Sequence, residues 1–152
     1  ADDTPLVVNS RMCLLYAPIN EPPPQRSAVL SPSNWCPCSG TMPMGLCYPG
    51  KGRSGDLPPR PECAPTWHDK VLMLLPNIEL TLLIGQYAQH YYLRDAGKDS
   101  LTETVRNWAD YGPSWLPLPH PSPRNTFWLK KNPWFEQEVI PHLQQRVAPL
   151  LL

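Results

Sequence analysis

The sequence predicts an α/β fold whose strands pair in parallel. Two observations carry this expectation. Short apolar runs alternate along the chain with segments of helical periodicity. Proline supplies 22 of the 152 residues, against a usual ~5%. That content excludes a molecule of long unbroken helices, because each interior proline deletes a hydrogen bond and clashes with the preceding turn. A hydrophobic fraction of 41% suffices for one modest core. The 13 basic and 13 acidic side chains cancel, so contact with nucleic acid must be local, not spread over a basic surface.

Residues 1–40 read as a divergent, proline-rich N-terminal segment, with the domain proper spanning 41–152. The segment holds Pro22-Pro23-Pro24, a Ser31-Pro32-Ser33 turn and Cys36-Pro37-Cys38, and only Met12 to Tyr16 could form a buried strand. Met42 to Tyr48 is a short apolar run, followed by a loop rich in glycine, lysine, arginine and proline that reaches Pro61. Within that loop, Gly50-Lys51-Gly52-Arg53-Ser54-Gly55 lacks the G-x-x-x-x-G-K-[ST] pattern and a strand-to-helix setting, so a flexible surface loop is expected. Apolar residues at 67, 71, 72, 74 and 75 predict a helical face ended by Pro76. Leu80 to Ile84 predicts a strand stopping at Gly85, and Gln86 to Leu93 a helix. Ser100-x-x-Glu103 is a capping box opening another helix that runs to Trp108. Leu116 to Leu118 is a short strand leading into Pro119-His120-Pro121. The final helix opens at Asn132-Pro133 and buries Phe135, Val139, Leu143 and Val147, with a kink at Pro141.

No membrane span is expected, since the longest apolar tract is interrupted by Pro76, Asn77 and Glu79. The first residues lack the basic stretch and apolar run of a secretory signal. With that start, an odd count of five cysteines favours reduced thiols or metal ligands and a cytoplasmic setting.

Chemistry concentrates after the last strand. Prolines around His120 and Ser122 freeze the backbone and fix side-chain direction. From Tyr111 to Phe135 the chain carries Arg124, Lys130 and Lys131 and no acid. Cations interleaved with Phe127, Trp128, Trp134 and Phe135 suit a phosphate backbone with stacked bases. The other reading is a proline-rich turn before a helix whose aromatics pack inward, and composition alone favours it. Cys36, Cys38, Cys47 and Cys63 suit zinc or an iron–sulfur cluster chemically, but their spacing is unlike a zinc ribbon and favours buried free thiols. His68, His90 and His142 read as ordinary helix residues.

His120-Pro121-Ser122-Pro123 resembles the last active-site motif of the uracil-DNA glycosylase superfamily. Leu82-Leu83-Ile84-Gly85-Gln86-Tyr87-Ala88-Gln89 is similar to that family's penultimate strand and turn. Cys47-Tyr48-Pro49-Gly50 and Cys63-Ala64-Pro65, sixteen positions apart, resemble its iron–sulfur branch. These landmarks cover roughly residues 42–150. The resemblance implies a three-layer α/β/α sandwich with a short, mostly parallel sheet, its N-terminal part incomplete. It implies hydrolysis of the glycosidic bond of a flipped uracil or related damaged base, with His120 bonding to the departing base. Ser122 would grip a flanking phosphate, while Arg124 and Asn125 probe the duplex. Lys130 and Lys131 would add DNA contacts. Cys47 and Cys63 would ligate a 4Fe-4S cluster if one forms.

Three departures accompany the resemblance. Leu15-Tyr16-Ala17-Pro18 stands where a glycine-containing water-holding loop is expected. Pro43 stands where the iron–sulfur branch has a base-reading asparagine. The branch's N-terminal C-x-x-C pair is absent, which leaves half a cluster site. The alternatives are therefore a catalytically silent relative that binds nucleic acid, or an inactive fragment. The expected partner is DNA, met by a monomer away from membranes.

Overall fold

The computed structural model describes residues 12–16, 39–53 and 55–150, the side chains of 12–16, Ser39 and Arg124 excepted. Its organising element is the Leu80–Ile84 strand, in which all five residues are buried. A run apolar on both faces belongs in the middle of a parallel sheet with helices above and below. In chain order the elements are β1 (Met12–Tyr16), β2 (Ser39–Pro43), β3 (Lys51–Gly52), β4 (Gly55–Asp56), α1 (Cys63–Met73), β5 (Leu80–Ile84), α2 (Gln86–Leu93), α3 (Leu101–Arg106), β6 (Trp115–Leu118), α4 (Thr126–Lys131) and α5 (Ile140–Val147). The main sheet has the order β2-β1-β5-β6, with every pairing parallel. Met12 to Tyr16, the one strand foreseen in the N-terminal segment, lies between β2 and β5, and β2 itself straddles residue 40.

The period-2 alternation of β5 divides the core in two. Leu80, Leu82 and Ile84 join Leu116, Leu118, Val105, Phe135 and Val139 on one face, under α3 and α5. Leu83 joins Met42, Met44, Ala64, Ala88 and Leu93 on the other, under α1 and α2. Helices thus cover both faces, giving the α/β/α layering. Pro117 is fully buried in the edge strand β6, aligned with Leu83. The hydrogen bonds from Thr81 N to Ser114 O and Gly85 N to Leu118 O show that residues 114, 116 and 118 face β5. The missing donor of Pro117 therefore lies on the outer side, where an edge strand tolerates it.

Three expectations need correction. Lys51–Gly52 and Gly55–Asp56 pair as a short antiparallel ladder, β3 against β4, where a loop alone was expected. Gly50 at φ 100° and Gly55 at φ 142° supply the backbone angles that L side chains avoid, so this stretch has a defined shape. Secondly, α1 starts at Cys63 and buries Cys63, Ala64 and His68, while Trp67 and Leu74 are exposed. Val71 and Leu72 of the expected face do pack on the core, but the buried stripe is centred on His68, a residue that apolar periodicity does not reveal. Thirdly, the helix does not run regularly from Asn132-Pro133; it passes through a π-helical turn over Phe135–Val139 before α5 begins. A π turn shifts the hydrogen-bond ladder by one residue, and that shift accommodates a residue with no N–H.

Candidate active site

A parallel sheet brings the ends of all its strands to one edge, and here that edge carries Tyr16, Pro43, Ile84 and Leu118. Strand order reverses between β1 and β5, which is where open α/β sheets form a ligand crevice. Gly85 follows β5 directly, and His120 stands two residues beyond β6. At φ 83° and ψ 170°, Gly85 occupies a backbone region essentially closed to other residues. A Cβ built on it would touch His120 Cβ at 3.6 Å and Cδ2 at 3.7 Å. The two strand ends therefore meet through a glycine and an imidazole edge. His120 is half-buried, with Nδ1 shielded from solvent.

The loop beyond is tied to itself. Ser122 N donates to His120 O at 2.9 Å, and Asn125 N donates to Ser122 O at 2.8 Å. The Asn125 side-chain amide donates back to His120 O at 2.5 Å. Thr126 Oγ1 donates to Pro123 O at 2.7 Å. Asn125, expected to probe a duplex, is thus engaged in holding the His120 carbonyl. Arg124 belongs to the 3-10 turn Pro123–Asn125, and its side chain is outside the described part.

The basic and aromatic stretch splits in two. Trp128, Trp134 and Phe135 pack against one another and the core, with Trp128 Nε1 donating to Thr102 Oγ1 at 2.8 Å. The inward-packing reading holds for these three. Phe127 is 67% exposed, and the Lys131 ammonium lies 4.5 Å from its ring centroid; Lys130 is exposed as well. One aromatic and two cations are left for an outward face.

Two buried polar residues shape this edge without standing out in the sequence. Gln89 is only 3% exposed, and its Nε2 donates to Leu118 O at 2.9 Å and Leu83 O at 3.2 Å. His68 is fully buried, with Nε2 3.2 Å from Pro43 O and Nδ1 2.5 Å from the Tyr92 hydroxyl. A carbonyl only accepts, so Nε2 carries the proton and Nδ1 accepts from the phenol. Burial pushes the His68 imidazole below its usual pKa, consistent with this neutral form. Their signal was a polar side chain facing the sheet from a short helix. A cleft of about 420 Å³, lined by residues including Tyr92, Asp110, Tyr111 and Trp115, lies at the opposite end, where β6 begins.

The strand, the glycine turn and the proline-framed histidine all lie within a stretch of sequence that matches a known family. The sequence matches the family model of the uracil DNA glycosylase superfamily over residues 29–144. The chain belongs to the uracil DNA glycosylase superfamily. Members of this superfamily act on DNA, and membership suggests a glycosylase-type function. The match begins before residue 40, so it takes in part of the segment set apart as divergent. Leu15-Tyr16-Ala17-Pro18 leaves the described part after Tyr16, the end of β1.

The superfamily's iron–sulfur branch needs four cysteine ligands. Cys47 is exposed and Cys63 is buried at the start of α1. Among the described residues no group of three metal-ligating side chains gathers; Cys36 and Cys38 lie outside them. The described residues supply at most two of those ligands. No helix among the described residues is long and apolar enough to cross a membrane.

Proposed function

We propose that this uracil DNA glycosylase superfamily member hydrolyses the N-glycosidic bond of a flipped uracil or related damaged base in DNA. The observation that carries the reading is His120, framed by prolines on the strand-end edge and packed against Gly85. Glycosidic cleavage through an oxocarbenium-like state leaves negative charge on the departing base. A hydrogen-bond donor already aimed at the base oxygen stabilises that charge without reorganising, and neutral imidazole can act as such a donor. With the proton on Nε2, that nitrogen would be the donor toward substrate. Ser122 and neighbouring backbone would hold the flanking phosphate, with Arg124, Lys130 and Lys131 supplying positive charge. Lys131 stacked over exposed Phe127 favours a nearby nucleic-acid strand, since a cation and an exposed ring suit phosphate and base together. This reading routes the reaction through the chain's own groups. Cys47 and Cys63 would supply two of the four ligands of a 4Fe-4S cluster; a visible charge-transfer band from anaerobically purified protein would show that other cysteines complete the set, and its absence that they do not.

The test is release of free base from a uracil-containing oligonucleotide. His120→Ala should cost about 10²–10³-fold in kcat, the range for losing one preorganised donor. Salt-dependent DNA binding with no abasic product from either protein would instead identify a silent relative. A non-cooperative melt of the parent protein would identify an inactive fragment.

A further inference from the structure

Among the described residues the buried carboxamide of Gln89 is bonded through its nitrogen alone, and that asymmetry is informative. Its Nε2 lies within hydrogen-bond distance of two carbonyls on different strands, Leu83 O in β5 and Leu118 O at the end of β6. Both partners only accept, so the amide orientation is decided and the NH2 must face the strand ends. Its Oε1 is then buried with no hydrogen bond among the described residues. A buried acceptor left unmade needs an explanation. An apolar residue would fill the same volume and avoid that cost. What it could not do is donate twice across the junction from which Gly85 and the His120 loop both depart. The same Leu118 O also accepts from Gly85 N at 2.9 Å. One carbonyl, two residues before His120, is therefore gripped by the α2 side chain and by the glycine turn together.

We propose that Gln89 is a positioning residue for His120. By tying the ends of β5 and β6, it fixes where the His120 loop leaves the sheet, and through Gly85 it fixes the surface on which the imidazole rests. This inference rests on the proposed role of His120 in base release, but its test does not depend on that activity.

Gln89→Met keeps the volume and removes both donated bonds. Gln89→Glu keeps the shape and replaces the donor with a carboxylate, which serves if the first variant fails to fold. Val105→Ala, on the other face of the sheet, controls for general loss of stability. The imidazole ¹⁵N chemical shifts of His120, assigned by comparison with His120→Ala, should move in both Gln89 variants and stay put in Val105→Ala. On a uracil-containing oligonucleotide, kcat should fall by about 10²-fold, the cost of roughly 1 Å of misplacement. KM should change by no more than about two-fold, since ground-state binding is not what is lost. His120 shifts that do not move in a folded Gln89 variant overturn the proposal. If the parent protein releases no base, the activity reading falls, and the chemical shifts still decide whether Gln89 positions the ring.

Discussion

Gly85 and His120 divide a labour that neither could perform alone. The glycine turns the chain at φ 83° and offers a flat surface, and the histidine rests its Cβ and Cδ2 against that surface. Space does not forbid a methyl group there, since 3.6 Å is ordinary contact; the backbone angle does. Gly85→Ala should therefore destabilise by about 1–3 kcal/mol, the cost of a non-glycine residue in such a region. Denaturant unfolding measures it, and a loss below 0.5 kcal/mol (~0.5, the usual range for a neutral surface change) would mean that the turn relaxes. His68 makes a different kind of statement. Its folded-state pKa lies below the unfolded value, because burial disfavours the charged ring. The unfolded chain then binds more protons between the two pKa values. Stability from His68 is fully present above about pH 6.5 and is lost as the pH falls toward the lowered folded-state pKa. Burial also lowers His142, beside Trp108, so acid should weaken the fold at both sites. The expected result is a lower Tm at pH 5.5 than at pH 7.5 (roughly one unit to either side of the reference pKa). His68→Gln should narrow that gap, and an unchanged gap would show that His68 does not titrate on unfolding.

Elements were legible where local chemistry agreed with burial. The Ser100 cap is present: Glu103 N donates to Ser100 Oγ, while the Glu103 carboxylate accepts from that hydroxyl, both at 3.2 Å. Ser100→Ala should cost about 1 kcal/mol, as cap losses do, with urea midpoints as the measure. An unchanged midpoint would mean that the short helix α3 is held by Thr104 and Val105 packing instead. Strand β5, helix α2 and the core of β6 were also recoverable, because apolar runs bounded by glycine and proline carry their own punctuation. Elements failed to show where a side chain broke its stereotype. The buried face of α1 centres on His68, a residue that periodicity counts as polar. Strand β2 opens with Ser39, Gly40 and Thr41, and an edge strand of that composition leaves no hydrophobic pattern to read. The site divides in the same way. The His120 motif announced itself through its prolines, whereas Gln89 and the Asn125 bond to His120 O depend on atoms brought together by the sheet.

At the scale of the molecule, the sheet explains why the chemistry collects where it does. Two cores press on opposite faces of β5, and Leu83 on one side is as inaccessible as Leu80 on the other. Between them the strand is held firmly enough for its end to serve as a reference point for the loops. The sheet's outer boundary has a consequence of its own. Midway along β6, Pro117 turns toward the rim a position with nothing to donate, and β2 on the far rim closes with Pro43. A strand arriving at β6 from another molecule would meet no donor at Pro117. Pro117→Val would restore a donor to that rim while keeping the residue apolar. Concentrated solutions of that variant should scatter light and form fibrils sooner than the parent, and equal onset times would show that the rim is already covered. The comparison asks whether a single imino acid is enough to keep neighbouring molecules from adding strands here.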